Sequence, residues 1–225
     1  MSRRYLLICG LLASLVYVGA VILGGLLRPG YSHVAHAISE LIAVGAPNTT
    51  LLNPLFTLYD ILLAAFGVGL LLTVRAHPEQ RGTRSGSLGA FALIVSGLIG
   101  VLMNMFFPQD PGGPPVTLTG TVHVVLAGVL SLGTMLAILC TGLWLRQAPG
   151  SRAYWRYSLA SLAAIFISGG LGAAAIATSS PYLGLVERVA IGAFIQWVFV
   201  MALKLAAPTA ATDLSGAQPR VSPAN

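Results

Sequence analysis

YLLICGLLASLVYVGAVILGGLL, residues 5–27, runs for 23 residues without a charged side chain. As a helix rising 1.5 Å per residue it covers a hydrocarbon core about 30 Å thick. Five more apolar stretches of similar length follow, Leu51–Val74, Ser85–Phe107, Val116–Leu145, Tyr157–Thr178 and Tyr182–Leu203. The reading is an all-α polytopic membrane protein, a six-transmembrane-helix bundle occupying residues 1–205. Arg3 and Arg4 precede the first run, and the first run reaches Arg28-Pro29 without a small-residue cleavage site. It therefore reads as a retained helix and not as a signal peptide.

Basic residues mark the sides. Arg3, Arg4, Arg75, Arg81, Arg84, Arg146, Arg152, Arg156, Lys204 and Arg220 fall on one side of such a bundle, and Arg28 and Arg188 on the other. Ten of the twelve basic residues on one side place both termini in the cytoplasm. The expected location is the bacterial inner membrane.

Composition agrees. Of 225 residues, 56% are hydrophobic and 8% charged, and the mean hydropathy is +0.85. The net charge of +6 sits in short loops at the membrane edge, where it meets anionic lipid. No basic helix face or aromatic platform accompanies it, so nucleic acid is not an expected partner and membrane lipid is. Cys9 and Cys140 fall near the same membrane edge and read as packed thiols. Residues 206–225, rich in Ala, Pro, Ser and Thr, read as a disordered cytoplasmic tail. Glycine-rich runs at Ser96–Gly100 and Gly169–Ala173 have the small-residue spacing that lets helices approach closely in lipid.

The outer connections carry the chemistry. The first, Arg28–Asn53, contains GYSHVAHAISELIAVGAP. Read as a short interfacial helix over Tyr31–Ala43, it gathers Ser32, His33, His36, Ser39 and Glu40 on one side, with Val34, Ile38, Leu41 and Ile42 on the other. Asn53-Pro54 reads as the cap and first turn of the second span. His33, His36 and Glu40 then share a sector compatible with a divalent metal, a pattern that a solvated amphipathic helix also produces. The second outer connection, FPQDPGGPP, is turn chemistry around Asp110.

Sorted by side, Glu40, Asp60, Asp110, Glu187, His33, His36, His123, Arg28 and Arg188 all come to the outer face, drawn from all three hairpins. Asp60, about six residues into its span, is costly as a bare carboxylate, so it faces either a polar cavity or a partner such as Arg188 or Arg28. Arg188 is expected to reach Asp60 or Glu40. His123 could orient Asp110 or serve as an acid–base group.

ISELIAVGAP at 38–47, FPQDPGG at 107–113 with His123 following, and GLVERV at 184–189 together resemble the bacterial six-pass membrane family filed as domain of unknown function 998. The resemblance spans the membrane domain, implies a six-helix bundle, and singles out Ser39, Glu40, Pro47, Asp110, His123, Glu187 and Arg188. It supplies no reaction. A more distant similarity is to the membrane hydrolases that include alkaline ceramidases, which hold zinc with three histidines. This chain departs from them, since Tyr182–Leu203 contains no histidine.

The expectation is an outward-facing polar pocket that binds or acts on a lipid-like molecule, with hydrolysis or group transfer at a headgroup as the reaction class if it is an enzyme. Glu40, His123 and Asp110 are the candidate catalytic residues. Ser39, Asp60, Glu187 and Arg188 would bind substrate, and His33 and His36 are candidate metal ligands. The alternatives are a small ion- or proton-coupled transporter and a structural or assembly subunit. Oligomeric state stays open. Nearly apolar inner halves of the spans favour a one-sided pocket over a through-path.

Overall fold

The computed structural model describes residues 2–112 and 114–207. Among the described residues the chain forms six α-helices: α1 (Arg3–Leu27), α2 (Thr49–Arg75), α3 (Thr83–Phe106), α4 (Leu118–Leu145), α5 (Arg152–Ala177) and α6 (Leu183–Ala206). Each is long and apolar enough to cross a membrane. Leu15, Phe91, Phe166 and Ile167 point outward, as expected where the surrounding medium is lipid. The expected disordered tail falls almost entirely outside the described residues.

Each helix packs on its chain neighbours, and α6 closes the ring against α1. The connections 28–48, 107–117 and 178–182 gather at one end, called here the loop end. The start of α1, the end of α6 and the connections 76–82 and 146–151 lie at the other, called here the termini end. Phe66, Leu70, Leu93, Ile138, Trp144, Trp197 and Met201 are fully buried in the main core. A second cluster, Ala20, Ile38, Leu41, Ile42, Leu52 and Phe56, seats the 28–48 connection on α1 and α2.

Small residues set the closest approaches. A Cβ on Gly67 would lie 2.8 Å from Ile94, and one on Gly97 2.8 Å from the Ala64 nitrogen, so α2 and α3 meet backbone to backbone. The Ser96–Gly100 run thus packs as its spacing predicts. The Gly169–Ala173 run does not. A Cβ on Gly169 or Gly172 would find its nearest neighbour only at 3.9 Å, and one on Gly170 would find none within 4 Å. α5 is loosely held where α4 and α6 flank it near the loop end.

Three local expectations are corrected. The interfacial helix over Tyr31–Ala43 is replaced by turns and a single 3-10 turn, Ser39–Ile42, whose Glu40, Leu41 and Ile42 are buried. The reason lies in α6. A helix here would bond Ile38 N–H to the Val34 carbonyl, but Ile38 N–H donates instead to Glu187 Oε2 (2.6 Å) and Val34 C=O accepts from Leu185 N–H (2.9 Å). α2 starts at Thr49 rather than at Pro54, which sits inside the helix, because burying Leu52 and Phe56 beneath the connection outweighs one lost backbone bond. Finally, the termini-end half is free of buried acids among the described residues but not of polar groups. Thr73, His77, Thr141, Ser158 and Ser161 are buried there. Thr73 and His77 bond carbonyls of their own helix, and Trp197 Nε1–H donates to Ser158 Oγ.

Candidate functional site

Tyr31 is the hub of the loop end. Its ring lies 5.6 Å from the guanidinium carbons of both Arg28 and Arg188 and stacks on His36 at 5.4 Å. Its hydroxyl donates to the Ala37 carbonyl (2.8 Å) and accepts from Arg188 Nη2 (2.6 Å). Arg188 Nη1 donates to the carbonyls of His36 (3.0 Å) and Gly184 (2.8 Å), while its Nε is buried without a partner. Burial raises the Tyr31 phenol above its ordinary range, against the pull of the Arg188 hydrogen bond. Burial, then the Arg188 charge, lowers His33, so its ring favours the neutral form.

Arg188 therefore does not pair with Asp60 or Glu40 as expected. A guanidinium with five fixed donors is better satisfied by carbonyls and a phenol gathered around it than by one distant carboxylate. Glu187 accepts from Ile38 N–H, Glu40 Oε1 accepts from Ala37 N–H (3.0 Å), and Arg28 Nη1 donates to the Glu40 carbonyl. Gly184 makes this docking possible, since a Cβ there would run into the His36 carbonyl and lie 2.9 Å from that of His33.

The expected metal sector dissolves with its helix. His36 Nδ1 accepts from Ser32 N–H (2.9 Å), so in the neutral ring Nε2 carries the hydrogen and neither nitrogen has a free lone pair. Among the described residues no group of three or more His, Cys, Asp and Glu side chains comes together to hold a metal ion.

Asp110 and His123 form a second cluster, on the α3–α4 connection. Asp110 Oδ2 accepts from the N–H groups of Val116 and Thr117, and Oδ1 from the Thr117 hydroxyl, all at 2.8 Å. Thr117 in turn caps α4 by accepting from Gly120 N–H. His123 is buried and its Nδ1 donates to the Phe107 carbonyl (2.7 Å). The histidine orients that carbonyl and not Asp110, and its Nε2 keeps a lone pair in the neutral ring. Gln109 is the seam between the clusters. Its side-chain oxygen accepts from Ser39 Oγ, and its carbonyl accepts from Val44 N–H (2.9 Å).

Asp60 lies deeper than its sequence position suggested. With α2 beginning at Thr49 it is eleven residues in, about 16 Å along the helix. It is buried, and Asn104 Nδ2 donates to its Oδ2 (2.8 Å). Gly100 leaves room for the carboxyl, which a Cβ would strike. Tyr17 packs edge-on against Tyr59, the chain neighbour of Asp60, with ring centroids 4.7 Å apart.

The structure thus brings Glu40, Glu187 and Arg188 together around Tyr31, keeps Asp110 and His123 as a separate pair, and leaves Ser39 on the seam. Tyr31, Asn104, Gln109 and the bonding of Arg28 were not anticipated. Asn104 had a signal, an amide inside an apolar span, where polar groups persist only with a partner. No curated protein and no solved structure matches the chain. The family described as "Protein of unknown function (DUF998)" matches residues 11–204, and the chain is an integral membrane protein belonging to that family.

Proposed function

We propose that the chain binds an amphipathic, lipid-like molecule at the loop end, which faces outward from a cell membrane with both termini in the cytoplasm. The observation that carries this reading is a coincidence of position on α6. The turn holding Glu187 and Arg188 adjoins Val186, the nearest neighbour of Gly172 on the loosely packed α5. A polar end would meet Arg188 and the acids, and an apolar part would lie along the α4–α5–α6 quarter. Acids and an arginine within membrane-crossing helices mark a site by default. Glu187 and Asp60 each accept one hydrogen bond among the described residues, leaving acceptor capacity on each. Asp110 acts by holding the start of α4. Should group transfer or hydrolysis accompany binding, His123 Nε2 and Glu40 are the acid–base groups.

A second reading has its own observation. Arg28, Glu40, Glu187, Arg188, Asp110 and His123 all bond main-chain groups of the connections, as a purely structural lock would. Lipid mass spectrometry of the purified protein separates the two. Binding predicts one lipid class retained through delipidation and lost in Arg188→Gln and Asp60→Asn variants that still fold. The lock predicts no retained lipid and loss of folded protein in Arg188→Gln.

A further inference from the structure

We propose that the termini end carries a separate binding site for a phosphate-class anion, in the pocket between the end of α4 and the start of α5. The pocket is open, has a volume of about 350 Å³, and is lined by Arg146, Gln147, Arg152 and Trp155. Arg146 is the residue closing α4 and Arg152 the first of α5, so the short 146–151 connection brings two guanidinium groups to one space. No acidic side chain lines it.

Both arginines are available. Among the described residues, arginine side-chain hydrogen bonds belong to Arg28 and Arg188 at the loop end. Arg146 instead lies over the Trp155 ring at 5.4 Å, a stacking that leaves its N–H edge free to fork onto an oxyanion. Gln147 adds an amide donor. The start of α5 contributes in the same sense. Ser151 precedes it without a side-chain cap, and its hydroxyl is buried and unpartnered, so the first-turn amides present the positive end of the helix dipole uncapped.

Depth indicates which phosphate. Tyr154, Trp155 and Tyr157 fall in the first two turns of α5, and Lys204 lies over the Tyr154 ring at 5.1 Å. Aromatic rings and basic side chains at a span end mark headgroup level, where an acidic phospholipid offers its phosphate. A free phosphate has the same chemistry, and the test distinguishes the two. The site is at the opposite end from the proposed lipid pocket and stands without it.

The full-length protein in neutral detergent is titrated with dioleoyl phosphatidylglycerol, with dioleoyl phosphatidylcholine and with inorganic phosphate, following thermal unfolding and tryptophan fluorescence. Phosphatidylglycerol should raise the unfolding temperature at concentrations where phosphatidylcholine does not. R146Q/R152Q should weaken the apparent affinity about 30-fold, and R75Q/R84Q, at the same end but outside the pocket, by less than about threefold. An equal response to inorganic phosphate makes soluble phosphate the ligand and supports the site. Equal responses to the two lipids without one to phosphate, or the same loss in R75Q/R84Q, overturn it. Fluorescence keeps the test open should R146Q/R152Q not fold. Trp144 and Trp197 are fully buried and Trp155 is not, so a phosphatidylglycerol-specific change in the wild type should vanish in W155F. A change that survives W155F overturns the proposal.

Discussion

Asp60 lies eleven residues inside a membrane-crossing helix, where an unpartnered carboxyl costs several kcal/mol. Its partner is an amide, Asn104, and the space for it is the missing side chain of Gly100. Truncating Asn104 to Ala should destabilise the fold by about 1–3 kcal/mol, the cost of leaving a buried acceptor unmet. The effects of Asp60→Ala and Asn104→Ala should be strongly non-additive. Those of Asp60→Ala and Arg188→Ala should add within about 0.5 kcal/mol, because these two share no hydrogen bond. Reversible unfolding in mixed micelles measures both cycles, and coupling to Arg188 instead of Asn104 would refute the assignment. Gly184→Ala is predicted to cost about 1–3 kcal/mol by driving a methyl group into the His33 and His36 carbonyls. The acids could be picked out of the sequence because charge inside a span is rare. Of their partners only Asn104 left a signal, an amide inside an apolar span, because a phenol or a carbonyl becomes a partner only through the tertiary fold.

At the scale of elements, the six spans were legible because length and apolarity decide them without reference to packing. The 28–48 connection was not. Its residues carry helical amphipathicity, yet the backbone groups that a helix would pair with each other, Ile38 N–H and Val34 C=O, are both taken by α6. Tertiary bonds from distant residues override a local period, and no single-segment reading contains them. The start of α4 is different, since FPQDPGGPP announces a turn and Asp110 sits within reach of Thr117, the residue that caps the helix. The Thr117 backbone N–H, and after it the Thr117 hydroxyl, hold the Asp110 carboxyl below the ordinary carboxylate range. A folded value below the unfolded one means that ionisation favours the fold. That contribution is present above the unfolded value of about 3.8 and is lost as pH falls through the lower folded value. Hydrogen exchange, corrected for the intrinsic rate, should therefore show protection at Gly120 and Thr121 declining below about pH 4. Asp110→Ala should show low protection at every pH, and a pH-independent wild type would contradict the role of Asp110 in holding the Thr117 cap.

For the molecule as a whole, an even number of spans puts the start of α1 and the end of α6 at one end, and hydrogen bonds tie the connections to the helices beside them. Asn48 donates to the Leu27 carbonyl, Val44 to that of Gln109 and Leu185 to that of Val34, so the 28–48 connection is tied to the end of α1, to the 107–117 connection and to the start of α6. Gln80 Nε2 donates to the Trp144 carbonyl and ties the 76–82 connection to the end of α4. The ends differ in charge as well as in structure. Among the described residues the termini end carries its basic residues at helix ends and in short connections, most of them exposed, whereas Arg28 and Arg188 at the loop end are bonded to folded backbone. Arg28 and Arg188, the exceptions to the positive-inside pattern, are the two whose guanidinium groups bond carbonyls of the folded 28–48 connection. Their roles are internal to the fold, so they are no argument against the proposed orientation. In intact cells, single cysteines at Asn48 and Ser180 should react with a membrane-impermeant maleimide, and cysteines at Arg81 and Gly150 should react only after permeabilisation. Labelling of Arg81 from outside would invert the bundle. It would also move the Arg146–Arg152 pocket to the outer leaflet, and so change which phospholipids could supply its anion.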